Sequence, residues 1–554
     1  MSEVIKTNVL IVGSGPSGMT TALALAKFGI ASTIIDRRES IYMEPRAHAL
    51  NSRTLEIFSA LGINIDDFKA VATPSEESCF VRWMDNLNGG EYGKLPYEQM
   101  HTKPDLPTPH PLFNISQPNC EIVLQKYVDR EELITSIRPF SWISCEHLEE
   151  GVVSIVADNA GKESRILSRF LIAADGAGSP VRASQGIEMK GMGNVHDFIM
   201  INFKADLTDI VKDKPAILYW IMANDCSGTF IAYDIKDNWV FMYPYDDTVI
   251  DKSAFTEEYC RQLVLKAIGQ NDIDVEILTN GGWCLGSQIA ESYRHKNIFL
   301  VGDSAHRYPP SGGLGLNTGV GDAHNIAWKI AGVLKGWAWP GLLDSYEPER
   351  KQVAQNNADF SVENAGKLFS IMLATESLMP AGKQSSLETL RAAPHKWADI
   401  QQGIEDQRDH FDGMALHIGQ HYGRENAPDL RADNFQFSDV GARFPHTWLK
   451  ANTEQVSSLE LLNADQFTLI IRDDIEIPHH ESEVPLQIII ENKHFSATKA
   501  NLKTMGLDDA LAVLVRPDGH IAARFSEGSI EGTITTTSVN EALHKAAAKF
   551  IEFS

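Results

Sequence analysis

Three separated stretches of this 554-residue chain place glycine and aspartate where a large dinucleotide could be held. The first is Val9-Leu10-Ile11-Val12 followed by GSGPSG, with Asp36 closing the next apolar run, STIID. Gly13 permits a tight turn, Gly15 lets backbone approach a pyrophosphate, and Gly18 allows close packing of strand on helix. Pro16 and Ser17 lie in the same turn, and the helix they open offers unpaired N–H groups and partial positive charge to phosphate oxygens. Asp36, with Arg37 beside it, lies about 20 residues on, where a carboxylate accepts hydrogen bonds from ribose hydroxyls. The bland alternative is an ordinary βα turn. The second stretch is AADGAGSPVR, a strand ending in Asp175-Gly176, and the third is FLVGDSAHRYPPSGGLGLNTG.

The first stretch alone suits NAD or FAD equally; the third separates them. Asp303 follows an apolar strand and can bond a ribitol hydroxyl, which FAD has and NAD lacks, although an aspartate there could also cap a helix. Pro309 and Pro310 stiffen the loop beyond, and Gly312, Gly313 and Gly315 let backbone lie against a flat ring. Leu316 follows, and Asn317 is expected to begin a helix whose positive end favours negative charge on that ring.

These motifs, in this order, resemble the group A FAD-dependent aromatic hydroxylases of the p-hydroxybenzoate hydroxylase fold. The resemblance implies that Gly13, Gly15 and Gly18 bind the FAD pyrophosphate and Asp36 the adenosine ribose. It places Arg46, in EPRAHALNSRT, near the pyrophosphate, and matches Gln117, in ISQPNCEIVL, to a glutamine ahead of a helix. Asp175 with Gly176, then Arg182, match the DG element, Gly302-Asp303 the GD element, and residues 309–317 the ring loop. PRAHALNSRTLEIF, ADLTDIVKDKPAILYW and GDSAHRYPPSGGLGLNTG are most similar to the phenol-type branch, which includes 2-hydroxybiphenyl 3-monooxygenases and 2,4-dichlorophenol 6-monooxygenases. In that branch a histidine matching His48 takes the phenolic proton. A neutral imidazole can do so near neutral pH, and a phenolate is far more electron-rich than a phenol. The alternative is a histidine merely hydrogen-bonded beside the flavin. One departure is plain: where the branch carries a basic segment, this chain reads Ala232-Tyr233-Asp234-Ile235-Lys236.

Apolar periodicity supplies the elements that must hold these groups. VLIVG, STIID, SRFLIAADG and NIFLVGD read as strands of one sheet, with helices at SGMTTALALAKFG, at about 51–61, at CEIVLQKYVDRE and through Asp322 to Leu334. FIMINFKADL, AILYWIM, GTFIAYDI and NWVFMYPY read as a separate antiparallel sheet. Residues 90–118, rich in Pro and His, read as one long loop. The expected fold is α/β (α+β overall): a Rossmann-like FAD-binding domain of 1–75, 115–190 and 285–365, an inserted antiparallel-sheet substrate domain of 76–114 and 191–284, a helical connection over 366–435, and a thioredoxin-like C-terminal domain over 436–554. The last lacks cysteine, so support of the fold or of a dimer is expected of it rather than redox work.

Composition narrows the partners. A formal charge of −25 repels nucleic acid and anionic membrane. No basic-then-apolar leader and no run of about 20 apolar residues is seen, and the six cysteines have no CxxC spacing. A cytoplasmic, soluble, multi-domain enzyme is expected. His101 and His110 have no metal-ligand spacing and read as solvated loop residues. Tyr219, Trp220 and Trp239 are candidates for an apolar substrate pocket or, equally in kind, for sheet core.

The resemblance then implies a single-component monooxygenase using tightly bound FAD, transient NADH or NADPH and O2. It would hydroxylate a phenolic or related ring through a flavin C4a-hydroperoxide and work as a homodimer. Two rivals stay open: Baeyer–Villiger insertion or epoxidation of a polyketide-like substrate, and an FAD-dependent dehydrogenase without oxygen transfer.

Overall fold

Four consecutive apolar residues leave a strand no polar face, and from Val9 onward the Val4–Val12 strand is buried on both sides. It is central in a sheet where Glu163–Ala173 and Ser32–Ile35 flank it in parallel, with Ile298–Leu300 and Ile134–Ile137 parallel beyond them. Val12 lies opposite both Ile35 and Ala173, and Ala173 opposite Leu300. Parallel pairing in that register brings the ends of the three motif-bearing strands out level at one edge, where ligands of such sheets bind. This computed structural model describes residues 4–44, 48–98, 106–379, 383–424, 435–473, 483–526 and 536–548.

The second sheet runs antiparallel except where Leu218–Ile221 lies parallel to Phe80–Met84. Its two faces are covered differently. The Glu257–Ile268 helix buries Cys260, Leu263, Val264 and Ala267 on one face, against Phe203, Tyr219, Phe230 and Trp239. The other face presents Trp83, Tyr97, Ile231 and Tyr233 to Ile371, Ile400, Ile404 and Phe411 of the helical stretch beyond 346.

Two boundaries differ from expectation. Part of the 90–118 segment is strand: Glu91–Pro96 pairs with Phe80–Met84, burying Tyr92 and Leu95, and Phe113–Asn114 pairs with Ala49–Leu50. Its prolines cluster beyond Leu95 and so do not block the pairing. The second sheet also extends past 284, because Gln288 and Ile289 of the Glu276–Ala290 strand still pair with Arg307 and His306.

At the C-terminal end Phe467–Ile471 pairs in parallel with Leu486–Ile490 and antiparallel with Ala512–Val515, which pairs with Ile521–Phe525 across Pro517-Asp518-Gly519. With the Thr536–Ala548 helix this is the thioredoxin-like order expected, so the α/β architecture with an antiparallel insert and a thioredoxin-like end is present. Among the described residues no helix is long and apolar enough to cross a membrane.

Candidate active site

Gly13 has φ +102°, and a Cβ there would fall 2.2 Å from the Ala174 carbonyl oxygen, so only glycine lets the two strand ends meet. Gly18 packs as closely, since its Cβ would lie 1.9 Å from the Gly13 oxygen. Gly15 is the reverse: nothing stands within 4 Å of a Cβ added there. It precedes the Pro16–Lys27 helix, whose N-terminus has no side-chain cap, so its first N–H groups face open space. Ser17 points elsewhere; its Oγ packs against Gly302 and Gly319.

Asp36 is buried and fully engaged. Its Oδ2 accepts from Ser14 N–H at 2.9 Å and Ser14 Oγ at 3.1 Å, and its Oδ1 accepts from Arg38 N–H at 2.8 Å. Burial would raise its pKa, but the Arg38 and Ser14 bonds outweigh that and hold the carboxyl below its usual range. Arg37 is exposed; Arg38 is the arginine that pairs with Asp36. Arg138, which sequence reading passed over, donates to Ser14 Oγ and to Gln125 Oε1 (2.9 Å), adding a second cation beside the glycine turn. Gln117 opens the Gln117–Arg130 helix and donates to Glu121 at 2.8 Å. Arg46 and His101 lie outside the described residues.

Asp175 follows the neighbouring strand. Its Oδ2 accepts from Val181 N–H at 3.2 Å, its Oδ1 is buried with no hydrogen-bond partner, and burial raises its pKa. Arg182 ties this element to the next, donating to the carbonyls of Ala177 (3.0 Å) and Ser304 (2.9 Å). Asp303 is exposed in the short Gly302–Ser304 turn, and Gly302 N–H donates to Asp322 Oδ2 at 3.1 Å. Asp322 also holds His306 (2.8 Å) and Arg350 (2.8 Å), so His306 is a clamp of the loop.

The next helix corrects an expectation. It is Leu314–Lys335, beginning three residues before Asn317, because Gly313 (φ +64°) supplies the left-handed N-cap and no side chain caps the end. Asn317 sits inside the first turn with its amide used structurally: Nδ2 donates to the Ala49 (2.9 Å) and Gly313 (2.6 Å) carbonyls, and Oδ1 accepts from Asn51 N–H at 3.0 Å. Pro310 is exposed and Leu316 half-buried, and nothing stands within 4 Å of a Cβ at Gly315.

Those Asn317 bonds fasten the Ala49–Leu50 strand, and His48 immediately precedes it. His48 Nδ1–H donates to Asn114 Oδ1 at 3.2 Å, which leaves Nε2 as the basic nitrogen. Burial lowers its pKa, with the Asn114 bond opposing, so at pH 7 the ring is neutral. Among the described residues the Tyr97 ring lies 6.2 Å from it, Phe411 a further 6.2 Å from Tyr97, and His410 stacks on Phe411 at 4.1 Å. Burial, then Lys367 and His48, hold His410 at about 3, an uncharged ring.

Two of the three aromatic pocket candidates are corrected. Tyr219 and Trp239 are fully buried under the Glu257–Ile268 helix, with Tyr219 Oη bonded to Lys214 O (3.0 Å) and Trp239 Nε1 to Ile235 O (3.4 Å). Strand side chains alternate, so theirs is the face away from His48's neighbours. Trp220 packs on the face shared with Tyr97 and Phe411. The aromatics near His48 lie in segments that showed only loop or helix character, and no spacing in the chain marks them.

Two uncapped helix ends that are open at Gly15 and Gly315, level strand ends between them and an orphaned carboxylate oxygen at Asp175 suit a ligand with a pyrophosphate at one end and a flat ring at the other. FAD is such a ligand, and the residues present fit it.

Comparison with known proteins agrees. Residues 6–361 match the family model described as an FAD binding domain, and 438–549 the one described as the C-terminal part of aromatic-ring hydroxylases. The chain is 30% identical to the 4-methyl-5-nitrocatechol 5-monooxygenase of a Burkholderia species, over 94% of each chain. It is 27% identical to the 2,4-dichlorophenol 6-monooxygenase of Delftia acidovorans, over 95% of this chain and 97% of that one. Among solved structures, the flavin-dependent monooxygenase PieE, in complex with FAD and substrate, superposes with a TM-score of 0.88 at 26% identity, over 98% of this chain and 99% of that one. Matched in both parts by these models and along nearly its whole length by these monooxygenases, the chain belongs to the FAD-dependent aromatic-ring hydroxylases and is a flavoprotein monooxygenase.

Proposed function

We propose that the substrate is a phenol, that NADH or NADPH docks transiently as reductant, and that His48 takes the phenolic proton. The observation that carries this reading is the His48–Asn114 hydrogen bond beside the Tyr97 ring. With Nδ1–H committed to a neutral amide, Nε2 is free to accept a proton. An amide oxygen steadies the resulting imidazolium without the large rise in basicity a carboxylate would impose. The Tyr97 ring lies 6.2 Å from His48, and the lowered pKa of His48 keeps the base unprotonated at neutral pH.

The cofactor's seat in this reading follows the strand ends. Gly13, Gly15 and Gly18, with the backbone of Pro16 and Ser17, would hold the pyrophosphate. Asp36, sharing its carboxylate with Arg38, would take the adenosine ribose, with Arg37 and Gln117 nearby. Asp175 and Asp303 would face the ribitol, and Pro310, Gly313, Gly315, Leu316 and Asn317 would frame the ring. Bound FAD supplies what no side chain can, accepting hydride and activating O2. The domain division proposed from sequence fits this, with the second sheet extended to 189–290 and 306–307. A homodimer in a reducing, cytoplasmic setting completes the proposal, and the six unpaired cysteines support that setting. The ring-hydroxylating relatives weigh against the ketone-insertion and dehydrogenase alternatives.

The test is oxidation of NADH and of NADPH by the purified yellow protein across substituted phenols and hydroxyindoles, with peroxide measured in parallel. Fast oxidation with little peroxide and a hydroxylated product is expected for at least one phenol. Peroxide alone from every compound would overturn the phenol reading.

A further inference from the structure

The turn at 516–520 of the C-terminal unit is pushed into the body that carries the site. Asp518 is its centre: Oδ2 accepts from Asn325 (3.2 Å), Trp328 Nε1 (3.2 Å) and Arg516 (2.6 Å), and its backbone carbonyl accepts from Arg53 Nη2 (2.7 Å). Arg516 in turn forks onto Glu349 at 2.8 and 2.9 Å, and Glu349 also receives Lys329 (2.7 Å) and Asn325 (2.7 Å). Arg53 reaches Glu56 (3.3 Å), which Arg443 holds through Nε (2.8 Å) and Nη2. Every one of these side chains is buried.

Two of the helices gripped by this turn also frame the site. The Ser52–Ala60 helix carries Arg53 and starts four residues after His48, with Asn51 as its cap. The Leu314–Lys335 helix carries Asn325, Trp328 and Lys329, and begins at the open ring loop. At the site end the two are joined by Asn317 to Ala49 and Asn51. A second, far join, two turns farther along the Leu314–Lys335 helix, runs through Arg53, the Asp518 carbonyl, the Asp518 carboxylate and Asn325.

We propose that the 516–520 turn is part of the active-site frame, with Asp518 a positioning residue that fixes the distance of His48 from the ring loop at 310–317. The proposal rests on the reading of His48 as the base. Stability alone is a poor reason for such a cluster, since buried ion pairs are often matched or bettered by apolar side chains of similar volume. Charge-assisted bonds converging on one carboxylate do what apolar packing does badly: they forbid sliding of one helix along another. A thioredoxin-like unit without cysteine thereby has a task at the site.

The test uses the FAD-loaded enzyme and four variants, of which His48→Gln checks the base reading alone. Asp518→Asn and Arg53→Lys weaken the far join, Arg53→Lys keeping the charge opposite Glu56. Leu507→Ala cuts the C-terminal unit's own core without removing any hydrogen bond of the turn. Product-to-peroxide ratio, kcat/KM and amide exchange at 48–56 and 314–320, the last also without FAD, are measured. Both turn variants are expected to raise the peroxide share severalfold and to lower kcat/KM by roughly 10- to 100-fold, as sub-ångström to 1 Å misplacement does. Exchange at both segments should quicken, whereas Leu507→Ala lowers the melting temperature and leaves coupling unchanged. The proposal is overturned if the turn variants only lower the melting temperature, as Leu507→Ala does. Should Asp518→Asn fail to fold, Arg53→Lys decides. Undiminished coupled turnover by His48→Gln would instead remove the base reading, and exchange would still decide the role of the turn.

Discussion

The two halves of the Leu314–Lys335 helix are built on opposite terms. At the N-terminal end Gly313 and Gly315 leave the helix uncapped by any side chain, with nothing within 4 Å of a Cβ at 315. Further along, Asp322, Asn325, Trp328 and Lys329 are buried and committed to His306, Arg350, Glu349 and Asp518. An open helix end is costly unless a ligand completes it, and it keeps its shape only if the rest of the helix cannot move. The difference teaches that unmet hydrogen-bonding capacity at the site and a buried, charge-assisted network behind it are two halves of one arrangement.

The networked half gives the largest expected effect. Arg516→Met leaves Glu349 and Asp518 buried without their shared cation, and a loss of about 3–5 kcal/mol is expected in denaturant unfolding. A loss below ~1 kcal/mol would mean that the cluster is solvated and the contrast false.

Gly15→Val probes the matching open end on the site's other helix, Pro16–Lys27. Its backbone is extended (φ −74°) and an added Cβ has no atom of the described residues within 4 Å, so unfolding should change by no more than ~0.5 kcal/mol. FAD affinity should fall roughly 10- to 100-fold, the worth of one or two phosphate contacts, as flavin fluorescence on titration would read. Equal loss of fold and of FAD would show that the turn is structural only.

Glu98 sharpens the comparison from the site side. Its Oε1 accepts from Gly413 N–H at 2.9 Å, while Oε2 is buried without a partner among the described residues. Burial, helped by Asp412, pushes the carboxyl up to about 8. The folded chain therefore holds a proton that the unfolded chain has released above roughly pH 4.3. Stability supplied by that proton is complete below that pH and is lost as pH rises toward 8. Glu98→Gln removes the dependence, so melting curves at pH 5 and 8 should converge by more than ~1 kcal/mol relative to the parent. An unchanged pH dependence would place an ionised, partnered Glu98 there.

What could be read in the chain and what could not divide along physical lines. Gly13, Gly18 and Gly313 were visible because backbone that must turn or touch leaves one residue type, and the order of the three motifs gave the fold. Strand facing was not visible: Tyr219 and Trp239 share the aromatic character of Tyr97 and Tyr233, and only the partner of each face tells pocket from core. Arg38 rather than Arg37 at Asp36 is a matter of one residue's rotation about the strand end. The Arg53, Glu56, Arg443 and Asp518 cluster joins residues up to 465 apart, a separation at which no periodicity speaks.

The central claim is that His48 removes the phenolic proton, and its most direct test compares two substrates with the parent enzyme and His48→Gln. One is an ordinary phenol, the other a nitrophenol already ionised at the assay pH. Loss of a general base typically costs about 10²–10⁴-fold. That loss in kcat/KM is expected for the phenol and most of it should vanish for the nitrophenol, while the parent's acid limb, with a midpoint below the usual histidine value, disappears in the variant. Equal impairment on both substrates would contradict the claim and leave His48 as a structural neighbour of Asn114.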